Sequence, residues 1–221
     1  MTDDDILEPQ DWSFPIPIAY GPGRLCEIGQ RCVAMGLLNP LIVTDKGSRD
    51  LPFISRLYRY LADAGLSTAL FSEISPNPRD DEISIGCDSF RSGSHDAIIA
   101  FGGGSVIDFA KGLSIVARHD QSIWDYVNLS NKPPAEIYSD KLLPVIAIPT
   151  TSGTGSEVTP YSVVINQDTE QEGTIKDELI IPKAAIVDPS FTIALPKEWT
   201  AITGLSLIHI SEPTRRTPIS Y

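Results

Sequence analysis

The chain has 221 residues, 42% of them hydrophobic, and a formal net charge of -12. That is enough apolar material for a buried core, and the negative charge repels nucleic-acid phosphates and anionic membrane surfaces. Three cysteines, Cys26, Cys32 and Cys87, form no C-x-x-C pair and leave an odd count, which excludes a disulfide framework or zinc knuckle and predicts inert thiols. The acidic start lacks the basic and apolar regions of an export signal, and no apolar run has the length of a membrane span, so the expected location is cytoplasmic.

In chain order, residues 12–18 alternate apolar positions with two prolines, as an edge strand does. Short apolar runs at 41–44, 68–71, 97–101 and 145–148 predict strands. Between the first two, Ser55, Leu57, Leu61 and Ala64 follow a helical pattern that ends near Gly65. Further helices are predicted over 80–91, where Ile83 and Cys87 share a face, and over 106–118. This β-α-β alternation predicts an α/β fold, a Rossmann-like doubly wound parallel sheet. Residues 128–141, with Pro133 and Pro134, read as an exposed loop, and 161–165 with 174–181 as a β-hairpin insert.

Three segments carry chemistry. Ala100-Phe101-Gly102-Gly103-Gly104-Ser105 leaves a predicted strand and opens a helix. Residues without side chains let backbone N–H groups approach a pyrophosphate, and the helix N-terminus adds a favourable dipole. The pattern is not G-x-G-x-x-G, and a plain tight turn is the competing interpretation. Pro149-Thr150-Thr151-Ser152-Gly153-Thr154-Gly155-Ser156-Glu157-Val158-Thr159 follows another strand with a hydroxyl-rich rim suited to ribose and phosphate oxygens. Asp45 ends the strand at 41–44, where a carboxylate can accept from ribose hydroxyls and oppose a 2'-phosphate, favouring NAD over NADP; the alternative is an ordinary turn aspartate in Asp-Lys-Gly.

Together and in this order, G-G-G-S-x-x-D-x-A-K at 102–111, P-T-T-x-G-T-G-S-E-V-T at 149–159 and Ala185-Ile186-Val187-Asp188-Pro189 resemble the iron-containing alcohol dehydrogenase family over about residues 12–204. The resemblance implies NAD-dependent, metal-assisted hydride transfer between a small alcohol and its aldehyde or ketone. It implies that Gly102, Gly103, Gly104 and Ser105 hold the cofactor pyrophosphate, with Asp45 on the adenosine ribose and Asn77 close by. Thr150, Thr151, Thr154 and Thr159 would line the adenine and phosphate side, and Lys176 would reach the ribose or phosphates. Asp108 and Glu157 are given structural work, capping and loop bracing. The N-terminal edge strand could pair across a homodimer or be a simple sheet edge.

The family's catalytic iron, or zinc, sits in a second, all-helical domain, held by one aspartate and three histidines. The approach to that segment matches at Pro196, Trp199, Thr200 and Gly204, and then the match stops. Ser206 stands where the aspartate belongs and Ile210 where the first histidine belongs; His209 is one residue out of register, and His95 and His119 lack ligand spacing. The expectation is therefore a dinucleotide-binding domain over 1–204 without the metal domain, with no catalytic or metal residues and a catalytically inactive chain. Residues 205–221 form a non-family tail that resembles translated sequencing adapter, expected to be disordered. Two alternatives are a non-catalytic nucleotide-binding module and a dehydroquinate-synthase-like lyase, the latter disfavoured by the threonine-rich segment.

Overall fold

Residues 8–119, 121–129 and 132–193 are described by a computed structural model. The apolar runs become β1 (Gln10–Trp12), β2 (Ile18–Tyr20), β3 (Pro40–Asp45), β4 (Ala69–Ile74), β5 (Ala97–Gly102) and β6 (Val145–Pro149), followed by β7 (Tyr161–Ile165), β8 (Glu172–Lys176) and β9 (Ala184–Val187). The amphipathic stretches become α1 (Ile28–Ala34), α2 (Pro52–Asp63), α3 (Asp80–Ser92), α4 (Gly104–Val116) and α5 (Ser190–Ile193). The main sheet runs β1-β2-β9-β6-β5-β3-β4, parallel throughout except for the antiparallel β1/β2 edge. β7 and β8 form the separate hairpin.

Both faces of the sheet are covered, which is why β3, β5 and β6 read as nearly continuous apolar runs. Their pleat sends alternate side chains to opposite cores. Leu41, Val43, Ile98 and Ala100 join Ile83, Cys87 and Phe90 of α3 and Ile107, Phe109 and Leu113 of α4. Ile42, Ile99, Phe101 and Ile146 join Ile28 and Cys32 of α1 and Ile54, Leu57 and Leu61 of α2. The chain winds outward from β3 to β4, then returns to place β5 on the other side of β3. The strand order reverses between β3 and β5, and in such sheets the crevice at the carboxyl ends of the two strands receives ligands.

Three expectations shift. The edge strand at 12–18 splits, because Pro15 and Pro17 lack the N–H that a ladder needs: β1 ends at Trp12 and β2 begins at Ile18, inside the sheet against β9. The second hairpin strand ends at Lys176 instead of 181, where Asp177 accepts from Leu179 N (2.8 Å) and starts a short 3-10 turn over Glu178–Ile180. α4 begins at Gly104, ahead of the expected 106. The short elements β9 and α1 carried no expectation. The loop after Asn128 is mostly exposed, pinned by buried Ile137 and Leu143. Among the described residues no helix is long and apolar enough to cross a membrane. Pro196, Trp199, Thr200, Gly204, Ser206, His209, Ile210 and the tail lie outside the described residues.

Candidate cofactor site

β5 delivers Gly102 to the carboxyl edge of the sheet beside the switch point. Gly103 follows at the N-cap of α4 in extended backbone, and it has no side chain with which to cap the first turn. The hydroxyl-rich segment after β6 folds over this turn. Thr150 N donates to Gly102 O (3.0 Å), tying the ends of β5 and β6 together. A Cβ at Gly103 would lie 3.1 Å from Thr151 Oγ1, and one at Gly104 would lie 3.0 Å from Thr154 Cβ and 3.3 Å from Ser156 Oγ. A side chain at either position would force the loop to give by a few tenths of an ångström, so the loop's close approach favours glycine.

Asn77, in left-handed backbone (φ 63), closes a third side by donating its N–H to Ser105 Oγ (3.2 Å). The structure thus brings together Asn77, Gly102, Gly103, Gly104, Ser105, Thr150, Thr151 and Thr154. Asp45 stands at the end of β3, where one oxygen accepts from Ser48 N (2.9 Å) and the other from Ser48 Oγ (2.7 Å). It caps its own turn and keeps lone pairs free for a ribose. Lys176 is exposed at the end of β8 with its ammonium 5.6 Å from the centre of the Tyr161 ring. No described contact joins it to the glycine turn.

Thr159 presents its carbonyl to Lys111 Nζ (2.8 Å), which also donates to Tyr161 O (2.7 Å). Lys111 is fully buried in α4, 3.9 Å from Asp108 Oδ1. Burial pushes its pKa down to about 8, against the opposing pull of Asp108 and Glu157. Burial also raises the Asp108 pKa, while Lys111, the Val163 amide and Ser156 pull it back. Asp108 does not cap its helix as expected. It accepts from Val163 N (3.2 Å) and so braces the hairpin. Sequence reasoning gave Lys111 no role, although a lone cation in the run Ile107-Asp108-Phe109-Ala110-Lys111-Gly112-Leu113 was a visible signal.

His95 Nδ1 meets Asn39 O (3.0 Å), and His119 pairs Nδ1 with Ile115 O (2.5 Å) and accepts from Tyr138 N at Nε2 (3.3 Å). Among the described residues no three His, Cys, Asp or Glu side chains converge to hold a metal. A cleft of about 690 Å³ opens between α3 and the Gln121–Ile123 region, lined by Asp80, Asp81, Asp88, Arg91 and Asp168. Its excess of carboxylates repels phosphates, and none of the glycine-turn or threonine-loop residues lines it.

A glycine turn at the switch point of a doubly wound, mainly parallel sheet defines the class, a Rossmann-like α/β domain. The family description "Iron-containing alcohol dehydrogenase" matches residues 15–189, and the chain belongs to that family. It is 34% identical over 205 residues to 1,3-propanediol dehydrogenase of Klebsiella pneumoniae, covering 91% of this chain and 51% of that one. It is 35% identical to NAD-dependent methanol dehydrogenase of Bacillus methanolicus, covering 89% and 50%. Among solved structures, sulfoacetaldehyde reductase from Bifidobacterium kashiwanohense in complex with NAD+ superposes with TM-score 0.79 at 36% identity, covering 87% and 49%. The chain spans about half the length of these relatives.

Proposed function

We propose that this domain holds NAD across the glycine turn, as the cofactor half of an oxidoreductase acting on a small alcohol and its aldehyde or ketone. The carrying observation is the uncapped start of α4 under a hydroxyl-bearing loop, with Gly103 and Gly104 at contact distance from Thr151 and Thr154. The amides of Gly104 and Ser105 would meet the pyrophosphate, where the helix dipole favours negative charge. Thr150, Thr151 and Thr154 would supply hydroxyls to phosphate and ribose oxygens, and Asn77 would fix the Ser105 hydroxyl. Asp45 would accept from the adenosine ribose. Thr159 enters through its carbonyl, and Lys176 through the hairpin edge nearest the loop. NAD supplies the hydride acceptor. Any metal ligands would come from residues beyond those described.

The test is NADH fluorescence titration of the 221-residue chain, with a separate assay that mixes NAD+, alcohols and iron or zinc. Binding without turnover is expected. Gly104→Val, which drives a side chain into Thr154, should weaken binding by roughly tenfold or more, the equivalent of 1–3 kcal/mol of overpacking. Equal affinity of wild type and variant would refute the site, and metal-dependent NADH formation would refute the absence of turnover.

A further inference from the structure

β7 has two edges: one pairs with β8, and the other meets α4 except at its end, where Ile165 bridges Arg79 and its N–H donates to Pro78 O (2.9 Å). Toward β8, backbone pairing satisfies it, continuing to Asp177 N on Pro160 O (3.1 Å). The opposite edge presents Thr159 O, Tyr161 O and Val163 N to helix α4, which has no free backbone groups to offer at mid-helix. Two side chains of α4 act in place of a strand. Lys111 Nζ donates to Thr159 O (2.8 Å) and Tyr161 O (2.7 Å), and Asp108 Oδ2 accepts from Val163 N (3.2 Å). Ser162 Oγ adds a bond to Asp108 O (2.8 Å). Keeping a cation wholly inside a core is costly unless its donors are used, so its geometry is tied to those two carbonyls.

Thr159 is also where the threonine-rich loop ends. Its other end is fixed by Thr150 N on Gly102 O. Both anchors therefore belong to one β5-turn-α4 unit, the same unit that carries Gly103 and Gly104. We propose that Lys111 is a positioning residue for the cofactor site, a latch that keeps the threonine loop folded over the glycine turn by holding the carbonyls of Thr159 and Tyr161. The proposal rests on the NAD reading for its consequence, but the latch has a readout of its own.

The experiment compares the full chain with Lys111→Met by hydrogen exchange and by NADH titration. Peptides spanning residues 150–165 should lose protection about tenfold or more, while β3 and β5 keep theirs. The NADH dissociation constant should rise about tenfold. Uniform loss of protection, or an unchanged loop, overturns the latch. If Lys111→Met does not fold, Lys111→Gln is read in the same way, and a loop as protected as in the wild type overturns the latch. A wild type that binds no NADH, yet whose loop loosens selectively in the variant, overturns the cofactor reading and leaves the latch standing.

Discussion

At the scale of single residues, Lys111 makes a stability prediction whose sign is unusual for a lysine. Gaining a carboxylate partner ordinarily raises a lysine pKa; here burial dominates and lowers it from 10.5 to about 8. Between those two values the unfolded chain carries the proton and the folded chain does not, so folding releases it and stability rises with pH. The slope from this residue is at most about 1.4 kcal/mol per pH unit. Below about pH 8 both states are charged and the contribution is flat. Urea midpoints of wild type and Lys111→Met, taken near pH 7 and near pH 9.5, should therefore separate in favour of the wild type at the higher pH. An equal gap at both pH values would contradict a depressed pKa.

At the scale of elements, α3 and α4 approach where glycine permits it. A Cβ at Gly86 would come 2.7 Å from Phe109 Cζ, and one at Gly112 would come 3.0 Å from Ile83 Cδ1. Phe109 is stacked on Phe71 of β4 with ring centroids 5.3 Å apart, so it has little room to retreat. Gly86→Ala should destabilise the fold by about 1–3 kcal/mol despite the better helix propensity of alanine. Chemical denaturation would measure it, and a stabilised variant would contradict the packing.

What could be seen in the sequence follows from the same contacts. β3, β5 and β6 were legible because burial on both faces makes each a continuous apolar run, and α2 and α3 because one face of each meets the sheet. The glycine turn and the loop at 149–159 were legible as segments, and their mutual contact was not, since it depends on β5 and β6 being neighbours. β9 and α1 were too short to stand out from their surroundings. The second hairpin strand was placed late because Asp177 gives no local sign of its cap until its N–H partner is known. Lys111 stands out in the sequence only as a lone cation in an apolar run; its role is hidden because its partners are backbone carbonyls about fifty residues away, which no spacing rule can reveal.

At the scale of the whole molecule, the two cores share one sheet: β3, β5, β6 and β9 each contribute side chains to both. Neither core can melt while the other keeps those strands, so the described residues should unfold in one transition. The candidate site draws on β3, the turn before α3, the start of α4 and the loop after β6, and a ligand there ties together elements from both faces. NADH at about one hundred times its dissociation constant should add roughly 2.7 kcal/mol to stability. For a chain of this size that is a rise in Tm of about 5–10 °C, readable by differential scanning calorimetry. The net charge of -12 gives no general attraction for an anionic dinucleotide, so such a rise requires local amides and hydroxyls to hold it. Gly104→Val should unfold at a somewhat lower temperature without ligand and show little rise with it. A full shift in the variant would place NADH elsewhere on the molecule.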